Sequence, residues 1–196
     1  MLIELSLSKA HRPSYEWIES VQMQALVAEV FSLSDQLFSN DTIYFYTSGS
    51  TGTPKKVEFC REEISASAAI TADFFGLTRG AKVLLALPLK FVGGKMMVYR
   101  AALNDWDLWV TMPASNPIAD LNTRVDFAAF TPHQLMTIFD QTPEKLKFID
   151  VIICGGGRIG KTLQEKIIAS GLKVFETYGM TETLTHVAVK IGRAHV

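Results

Sequence analysis

The chain has 196 residues, 48% of them apolar, and carries 19 lysines and arginines against 20 aspartates and glutamates. This length allows a sizeable core, and the near-zero net charge excludes the strongly basic surface that nucleic acid or an anionic membrane would attract. Cys60 and Cys154 lack the spacing of a metal site or a disulfide framework. Because there is no signal-like N-terminus and no apolar stretch long enough to span a bilayer, the sequence predicts a cytoplasmic protein.

Strand patterns alternate with helical patterns along the chain. A strand at residues 3–7 and a helix at residues 14–38 come first, and strands at residues 42–47 and 56–59 then enclose a glycine-rich loop. A helix at residues 62–75 ends at Gly76. Further strands are predicted at residues 83–87, 108–111, 126–130, 148–154 and 173–177, and further helices at residues 95–103, 132–140 and 159–170. This alternation predicts the α/β class, with a mostly parallel sheet flanked by helices.

The final segment, residues 191–196 (IGRAHV), reverse-translates readily to a common sequencing-library adapter. It is therefore predicted to be a non-native tail, with an authentic terminal strand as the alternative. On that interpretation, residues 1–190 belong to a natural protein that continues past Lys190.

A segment rich in hydroxyl groups and glycine, TSGSTGTPK, follows the predicted strand at residues 42–47. Glycines let backbone N–H groups turn toward an anion, hydroxyls add uncharged donors, and a lysine adds a charge for terminal phosphates. The segment is not a Walker A loop, because Pro54 stands where that motif has its second glycine. Taken alone, such a turn is also typical of a surface hairpin. The candidate nucleotide-binding residues here are Thr47, Ser48, Gly49, Ser50, Thr51, Gly52, Thr53 and Lys55.

A second motif, ETYGMTET at residues 176–183, follows the predicted strand at residues 173–177. In open α/β sheets, ligands bind beyond the carboxyl ends of the strands, which is where this motif would lie. The motif offers an aromatic ring for stacking on a base, a glycine for close approach, a hydroxyl for a phosphate and a carboxylate for Mg²⁺. A lone turn of this composition is equally typical of a solvated surface, but the two motifs in this order are far more specific.

Together the two motifs resemble the phosphate-binding loop and the YGxTE motif of the adenylate-forming superfamily, which includes acyl-CoA synthetases, luciferases and peptide synthetase adenylation domains. The resemblance covers nearly all of residues 42–190. It implies part of the N-terminal adenylating domain of that fold, with ATP, Mg²⁺ and coenzyme A as cofactors and a small-molecule carboxylic acid as substrate.

The resemblance also implies roles for individual residues. Ser48, Ser50 and Thr51 would wrap the β- and γ-phosphates of ATP. The remaining implied roles fall to residues of both motifs: adenine stacking to Tyr178, close approach to Gly179, the α-phosphate contact to Thr181, the metal to Glu182, and catalysis to Thr181, Glu182 and Lys55.

The segment at residues 155–162, GGGRIGKT, satisfies two other nucleotide-binding patterns. It fits the Walker A pattern through Lys161 and Thr162, and it fits the Rossmann glycine pattern, with Glu176 at the place of a ribose-binding acid. Both patterns normally open a domain, whereas about 150 residues precede this one. The resemblance implies a different role, in which the backbone of Gly155, Gly156 and Gly157 lies along adenine. A P-loop or Rossmann-type protein is the alternative.

The acid-binding pocket is predicted from three further segments. Residues 88–95 (PLKFVGGK) match the place where the family has an aromatic residue or histidine followed by a glycine, which here are Phe91 and Gly94. Residues 131–133 (TPH) resemble the second pocket wall, with Thr131 and His133 as candidates, and His186 follows the YGMTET turn. A histidine at a strand end is more often a structural residue than a catalytic one.

Within the superfamily, the short N-terminus and the segments FVGGKMMVYRAAL and ETYGMTETLTHVAVK most resemble short bacterial O-succinylbenzoate CoA ligases of menaquinone biosynthesis. That substrate has two carboxylates, and Lys90 or Lys95 is predicted to hold the one that does not react. The family's later aspartate, hinge and C-terminal domain lie beyond this chain, so the chain by itself is predicted to be inactive. A non-catalytic nucleotide-binding module is the second alternative.

Overall fold

The computed structural model describes residues 1–7, 15–47, 55–184 and 186–191. Seven strands form one sheet in the order β1-β5-β4-β6-β7-β8-β9, and β2 and β3 form a separate two-stranded sheet. The predicted α/β class with a mostly parallel sheet is confirmed, since β5, β4, β6, β7 and β8 run parallel. The strands are β1 (Leu2–Ser6), β2 (Thr42–Thr47), β3 (Lys55–Cys60), β4 (Lys82–Leu85), β5 (Asp107–Thr111), β6 (Val125–Phe130), β7 (Ile149–Cys154), β8 (Val174–Gly179) and β9 (His186–Ile191).

Helices cover both faces of the large sheet. Because side chains alternate along a strand, neighbouring residues of β4 enter different cores: Val83 and Leu85 pack with α1, α2 and α3, whereas Leu84 packs with α4 and α5. The result is a three-layer arrangement with a core on each side of the sheet. The helices are α1 (Val21–Ser39), α2 (Arg61–Phe75), α3 (Val92–Leu103), α4 (Pro132–Gln141) and α5 (Lys161–Ser170), with 3₁₀ turns at Pro143–Phe148 and Thr181–Thr183.

Two helices begin later than the apolar spacing predicts. The first starts at Val21, not at residue 14, because Ser20 is its N-cap and accepts a hydrogen bond from the backbone N of Met23 at 3.3 Å. The last starts at Lys161, not at residue 159, because the backbone N of Ile159 donates instead to a carboxylate oxygen of Glu176 at 3.1 Å. Apolar periodicity therefore predicted the helices but not their first turns.

The antiparallel edges of the sheet were not predicted. β1 pairs with β5, and β9 pairs back onto β8 directly after the Thr181–Thr183 turn. Strand β9 includes the backbone of Ile191, the first residue of the predicted tail. Residues 192–196 lie outside the described part of the chain, and the tail stays a prediction.

Helix α3 is pressed closely against the segment that precedes it. A Cβ atom built on Gly94 would lie 2.4 Å from the carbonyl oxygen of Pro88, which belongs to the backbone and cannot move aside locally. A Cβ atom built on the neighbouring Gly93 would meet only a side-chain methyl group of Leu87 at 3.1 Å. The two glycines therefore differ in what limits them, although both stand in the first turn of the helix.

We predict that Gly94→Ala lowers the free energy of unfolding by about 1–3 kcal/mol, the usual cost of overpacking against backbone. Gly93→Ala is the matched control and should change it by no more than about 1 kcal/mol, because the higher helix propensity of alanine offsets a contact that a flexible side chain can relieve. Urea denaturation followed by far-ultraviolet circular dichroism measures both values. Equal destabilisation by the two substitutions would contradict the close approach at Pro88.

Candidate functional site

A cavity of about 740 Å³ lies at the carboxyl ends of the parallel strands. Because these strands run in the same direction, the segments that follow them meet at one edge of the sheet, where open α/β sheets bind ligands. Each central strand supplies part of the wall: Leu87 and Pro88 follow β4, Phe130 ends β6 and Thr131 follows it, Gly155 follows β7, and Thr177 belongs to β8.

One wall of the cavity is bare main chain. A Cβ atom on Gly155 would lie 2.6 Å from the hydroxyl oxygen of Thr177, so the position admits only glycine without a local shift. Gly156 has a φ of +78°, in the left-handed region that favours glycine. Both line the cavity, and Gly157 is not among the lining residues. Two of the three glycines predicted to lie along adenine therefore line the cavity, and the contact with adenine stays a prediction.

The YGMTE motif spans the end of β8 and the following 3₁₀ turn. Gly179 and Thr181 line the cavity. The ring of Tyr178 is 63% exposed, and the side chain of Glu182 is also exposed in the first turn. The motif therefore places a small surface inside the cavity and an aromatic ring and a carboxylate in solvent beside it.

The phosphate-loop motif is described only at its two ends. Ser48, Gly49, Ser50, Thr51, Gly52 and Thr53 lie outside the described residues. The flanking residues Thr47 and Lys55 are directly opposite each other in the antiparallel pair β2–β3. Cα atoms of β2 come within 8 Å of Cα atoms of the Thr181–Thr183 turn. The strand that leads into the first motif thus lies beside the second motif, as the sequence interpretation requires.

The Walker A and Rossmann patterns at residues 155–162 are not supported by side-chain positions. Lys161 is 90% exposed, its Nζ lies 4.0 Å from a carboxylate oxygen of Glu165, and neither it nor Thr162 lines the cavity. Glu176 accepts a hydrogen bond from the backbone of Ile159, so its carboxylate stabilises the glycine segment. These residues are accounted for by the local structure of α5 and the segment before it.

The predicted acid-pocket residues belong to the same cavity, with one exception. Phe91, Thr131, His133 and His186 line it. Gly94 does not, because the carbonyl group of Pro88 occupies the space beside it. The role predicted for Gly94 is therefore corrected from lining the pocket to packing α3.

A buried arginine that the sequence interpretation missed also lines the cavity. Arg100 of α3 is 1% exposed, and its Nε and Nη2 have no hydrogen-bond partner among the described residues. Burial lowers the pKa of the guanidinium to about 10, so the group is charged at neutral pH. An arginine inside the apolar run MMVYRAAL was the available signal, since a charge on the buried face of a helix requires a partner.

The lysines predicted to hold a second carboxylate lie elsewhere. The Nζ of Lys90 stands 4.8 Å from the ring centre of Phe91, and the Nζ of Lys95 stands 5.6 Å from that of Phe45. Neither lysine lines the cavity. Among the described residues that line it, Arg100 is the cation whose position fits that role.

His186 stands opposite Gly179 in the β8–β9 pair, and its imidazole shares the cavity with Arg100. Burial, together with the positive charge of Arg100, lowers the pKa of this histidine to about 3. The imidazole is therefore neutral at physiological pH and presents one donor and one acceptor. It adds polarity to the wall without adding to the charge of Arg100.

The described residues also show neither a metal-binding cluster nor a membrane-spanning helix. No cluster of three or more His, Cys, Asp or Glu side chains that could enclose a metal is present in the described ranges. Of the helices that the structure describes, none is long and apolar enough to cross a bilayer.

Comparison with known proteins shows which family has this arrangement. The family model described as "AMP-binding enzyme" matches residues 11–195. The chain is 28% identical to the 2-succinylbenzoate–CoA ligase of Enterococcus faecalis, over 91% of this chain and 41% of the relative. It is 27% identical to a 4-chlorobenzoate–CoA ligase of an Arthrobacter species, over 85% and 36%. The chain thus spans between 30% and 41% of the length of the curated relatives it matches.

Solved structures of acyl-CoA synthetases superimpose on this chain. An AMP-forming acyl-CoA synthetase-like protein of Dyadobacter fermentans superimposes with a TM-score of 0.82 at 29% identity, over 98% of this chain and 54% of that one. The O-succinylbenzoate coenzyme A synthetase of Bacillus subtilis, solved in complex with ATP and magnesium ion, superimposes with a TM-score of 0.66 at 27% identity, over 76% and 32%. The chain belongs to the AMP-binding enzymes, the family of adenylate-forming acyl-CoA ligases.

Proposed function

We propose that the full-length protein containing this chain activates a carboxylic acid with ATP to give an acyl-AMP, and then transfers the acyl group to coenzyme A. Residues 1–190 would form part of its N-terminal adenylating domain, and the protein would act in the cytoplasm, in keeping with its two free thiols. The observation that carries the proposal is the single cavity that joins the glycine wall, the YGMTE turn and the aromatic end formed by Phe91.

The nucleotide would occupy the glycine end of this cavity. The bare backbone at Gly155 and Gly156 gives a flat surface on which a planar base can lie, with Gly157 continuing it, and the exposed ring of Tyr178 can stack on the same base. The hydroxyl of Thr181 would donate a hydrogen bond to an oxygen of the α-phosphate. The hydroxyl-rich loop between Thr47 and Lys55 would bind the β- and γ-phosphates, with Lys55 adding charge.

The chemistry needs little from the chain beyond positioning. A carboxylic acid is already ionised at neutral pH, so no general base has to remove a proton. One carboxylate oxygen attacks the α-phosphorus, the bond from that phosphorus to the bridging oxygen breaks, and pyrophosphate leaves with the bonding electrons. Thr181 and Lys55 would hold the reacting groups in line and neutralise the charge that develops on the phosphates.

The donor set fits a magnesium ion that arrives with the nucleotide. Mg²⁺ bound to substrate phosphates usually takes only one or two protein carboxylates and keeps several waters. Glu182 supplies one exposed carboxylate next to Thr181, which lines the cavity. We therefore propose Glu182 as the residue that holds the ion, which would neutralise phosphate charge when bound.

The acid is proposed to carry a second anionic group, and O-succinylbenzoate is the leading candidate. A charged guanidinium whose Nε and Nη2 lack partners is costly to bury, and a ligand carboxylate would supply the missing hydrogen bonds. Phe91 and the neutral His186 would contact an aromatic ring and a polar substituent in the same space. Two of the relatives named above act on aromatic acids, and one of these acids has two carboxylates.

We predict that the purified full-length protein releases pyrophosphate with ATP and O-succinylbenzoate, and more slowly with fatty acids or simple benzoates. The 196-residue chain alone should be inactive or nearly so. A coupled pyrophosphate assay over a panel of acids measures both. Release with fatty or aryl acids but not with O-succinylbenzoate would overturn the narrow assignment, and nucleotide binding without turnover of any acid would favour a non-catalytic module.

Replacing Arg100 should separate binding from stability. We predict that Arg100→Met raises the Kd of the dicarboxylic acid by about 30-fold or more, because it loses a charge-assisted pair worth about 2–5 kcal/mol in such settings. The same change should leave the free energy of unfolding equal or raise it by about 1–4 kcal/mol, because it removes an unpaired buried charge. Calorimetric titration and urea denaturation give the two values.

Arg100→Lys and a substrate analogue that lacks one carboxylate are the controls for this effect. The lysine variant keeps a charge but loses the planar fork, so its affinity should fall between those of the other two proteins. The analogue should bind the parent protein and Arg100→Met with similar affinity. A parallel loss of affinity and stability in Arg100→Met would instead indicate that the arginine has a structural role.

We further predict that Lys55→Ala lowers kcat/KM about 100-fold or more, since it removes a charge that stabilises the transition state. Lys161→Ala is its matched control and should change kcat/KM by less than about 2-fold, because Lys161 is 90% exposed and lies outside the cavity. The reverse result, with ATP binding lost in Lys161→Ala and kept in Lys55→Ala, would support the P-loop alternative.

A further inference from the structure

The side chain of Gln134 lies between three segments at the end of the sheet. It belongs to the first turn of α4 and is 6% exposed. Its Nε2 donates to the carbonyl oxygens of Ala86 and Ala114, at 3.0 Å each, and its Oε1 accepts from the backbone N of Thr131 at 3.0 Å. A primary amide has two donor hydrogens and one acceptor oxygen, so both donors are used within the protein.

The three partners come from three neighbouring strands. Ala86 follows β4, Ala114 lies in the segment after β5, and Thr131 follows β6, and these strands are adjacent in the sheet. Beyond the end of a strand, carbonyl groups lose their ladder partners and need others when they are buried. The same three segments carry walls of the cavity: Pro88 follows Ala86, Pro113 and Ser115 flank Ala114, and Phe130 precedes Thr131.

The segment around Ala114 is also fixed at its far end. The Nδ2 of Asn116 donates to the side-chain oxygens of Gln141 and Thr142, at 3.1 Å each. The hydroxyl of Thr111 donates to the carbonyl oxygen of Pro117 at 2.9 Å. Nearer to β5, the shared amide of Gln134 links Ala114 to Ala86.

We propose that Gln134 is a positioning residue that sets the width of the acid-binding end of the cavity by joining these three segments. The inference rests on the proposed function, because it concerns how tightly the acid is held. Gln134 itself lines the cavity, but both of its donor hydrogens are used within the protein, so it has none left for a substrate and acts through Ala86 and Ala114. Misplacement of a substrate wall by about 1 Å can change a rate by about 100-fold.

The first test compares Gln134→Met with Gln164→Met in the full-length protein. Methionine keeps the approximate volume of Gln134 but makes none of the three bonds, and Gln164 is an exposed residue of α5. Gln134→Met should raise the KM for the preferred acid about 10-fold and reduce its preference over ring-substituted analogues, with the KM for ATP changed by less than about 2-fold. Equal effects on acid and ATP, or none on either, would overturn the proposal.

The second test uses pH. In Gln134→Glu, an ionised carboxylate would face the two carbonyl oxygens, whereas the protonated form can donate to one of them. Burial raises the pKa of such a carboxyl group, so the fraction that donates grows as the pH falls. As the pH falls from about 8 to about 6, the KM of this variant for the acid should therefore approach the parent value. The KM of the parent for the acid should not improve over the same range. A pH-independent defect would contradict the role of the donors, and this series decides the question if Gln134→Met does not fold.

Hydrogen exchange tests the connection itself, independently of any reaction. In Gln134→Met, the backbone amides of Ala86, Leu87, Met112 and residues 114–116 should exchange about 10-fold faster than in the parent, while those of α1 keep their rates. If the parent protein activates no acid but these segments loosen, the proposed function fails and the connection stands. If the parent is active and the segments exchange as before, the connection through Gln134 is wrong.

Discussion

Parallel pairing in the centre of the large sheet is the constraint on which the site depends. Parallel strands cannot be joined by a tight turn, so each must be followed by a crossover that returns the chain to the same starting edge. With β4, β6, β7 and β8 paired in this way, the segments after them come together although they span about a hundred residues of sequence. The strand register then aligns the ends of β6, β7 and β8, because Phe130 lies beside Cys154, and Cys154 lies beside Glu176.

Burial of side chains in and beside the cavity shifts their pKa values. Desolvation lowers the pKa of His186 and of Arg100, and it raises the pKa of the Cys154 thiol to about 12. All three shifts act against the charged form, yet Arg100 still carries its charge at neutral pH. Arg100 is thus a buried cation whose Nε and Nη2 lack partners in the described chain, and burial strengthens its attraction for an anion.

The sequence predicts the strands well, because these depend on local pattern. Apolar runs of β-type residues mark β4, β6 and β7, and the YGMTE segment coincides with the end of β8 and the following 3₁₀ turn. The helix starts at Val21 and Lys161 were missed, since each depends on a capping contact that apolar spacing does not encode. Strand β9 was missed because its place depends on a free edge of β8.

The errors at the acid end of the site have a different physical cause. Gly94 was assigned to the pocket wall because of its place in the family pattern, but the carbonyl group of Pro88 beside it can be seen only in three dimensions. Lys90 and Lys95 stand close to the pattern in sequence, yet neither lines the cavity: Lys90 lies in the turn before α3, and Lys95 lies in α3, which turns about 100° per residue. Arg100 lies farther along the same helix and lines the cavity.

The register of the β2–β3 pair at the base of the first motif affects how tightly the proposed nucleotide would be held. Thr47 and Lys55 are partners in the β2–β3 ladder, so the two ends of the seven-residue stretch between them are already neighbours. The entropy lost in bringing these ends together is therefore part of the cost of folding, and a ligand bound by this stretch would not have to supply it again. Insertions or deletions between Thr47 and Lys55 would therefore leave the lysine attached to β3.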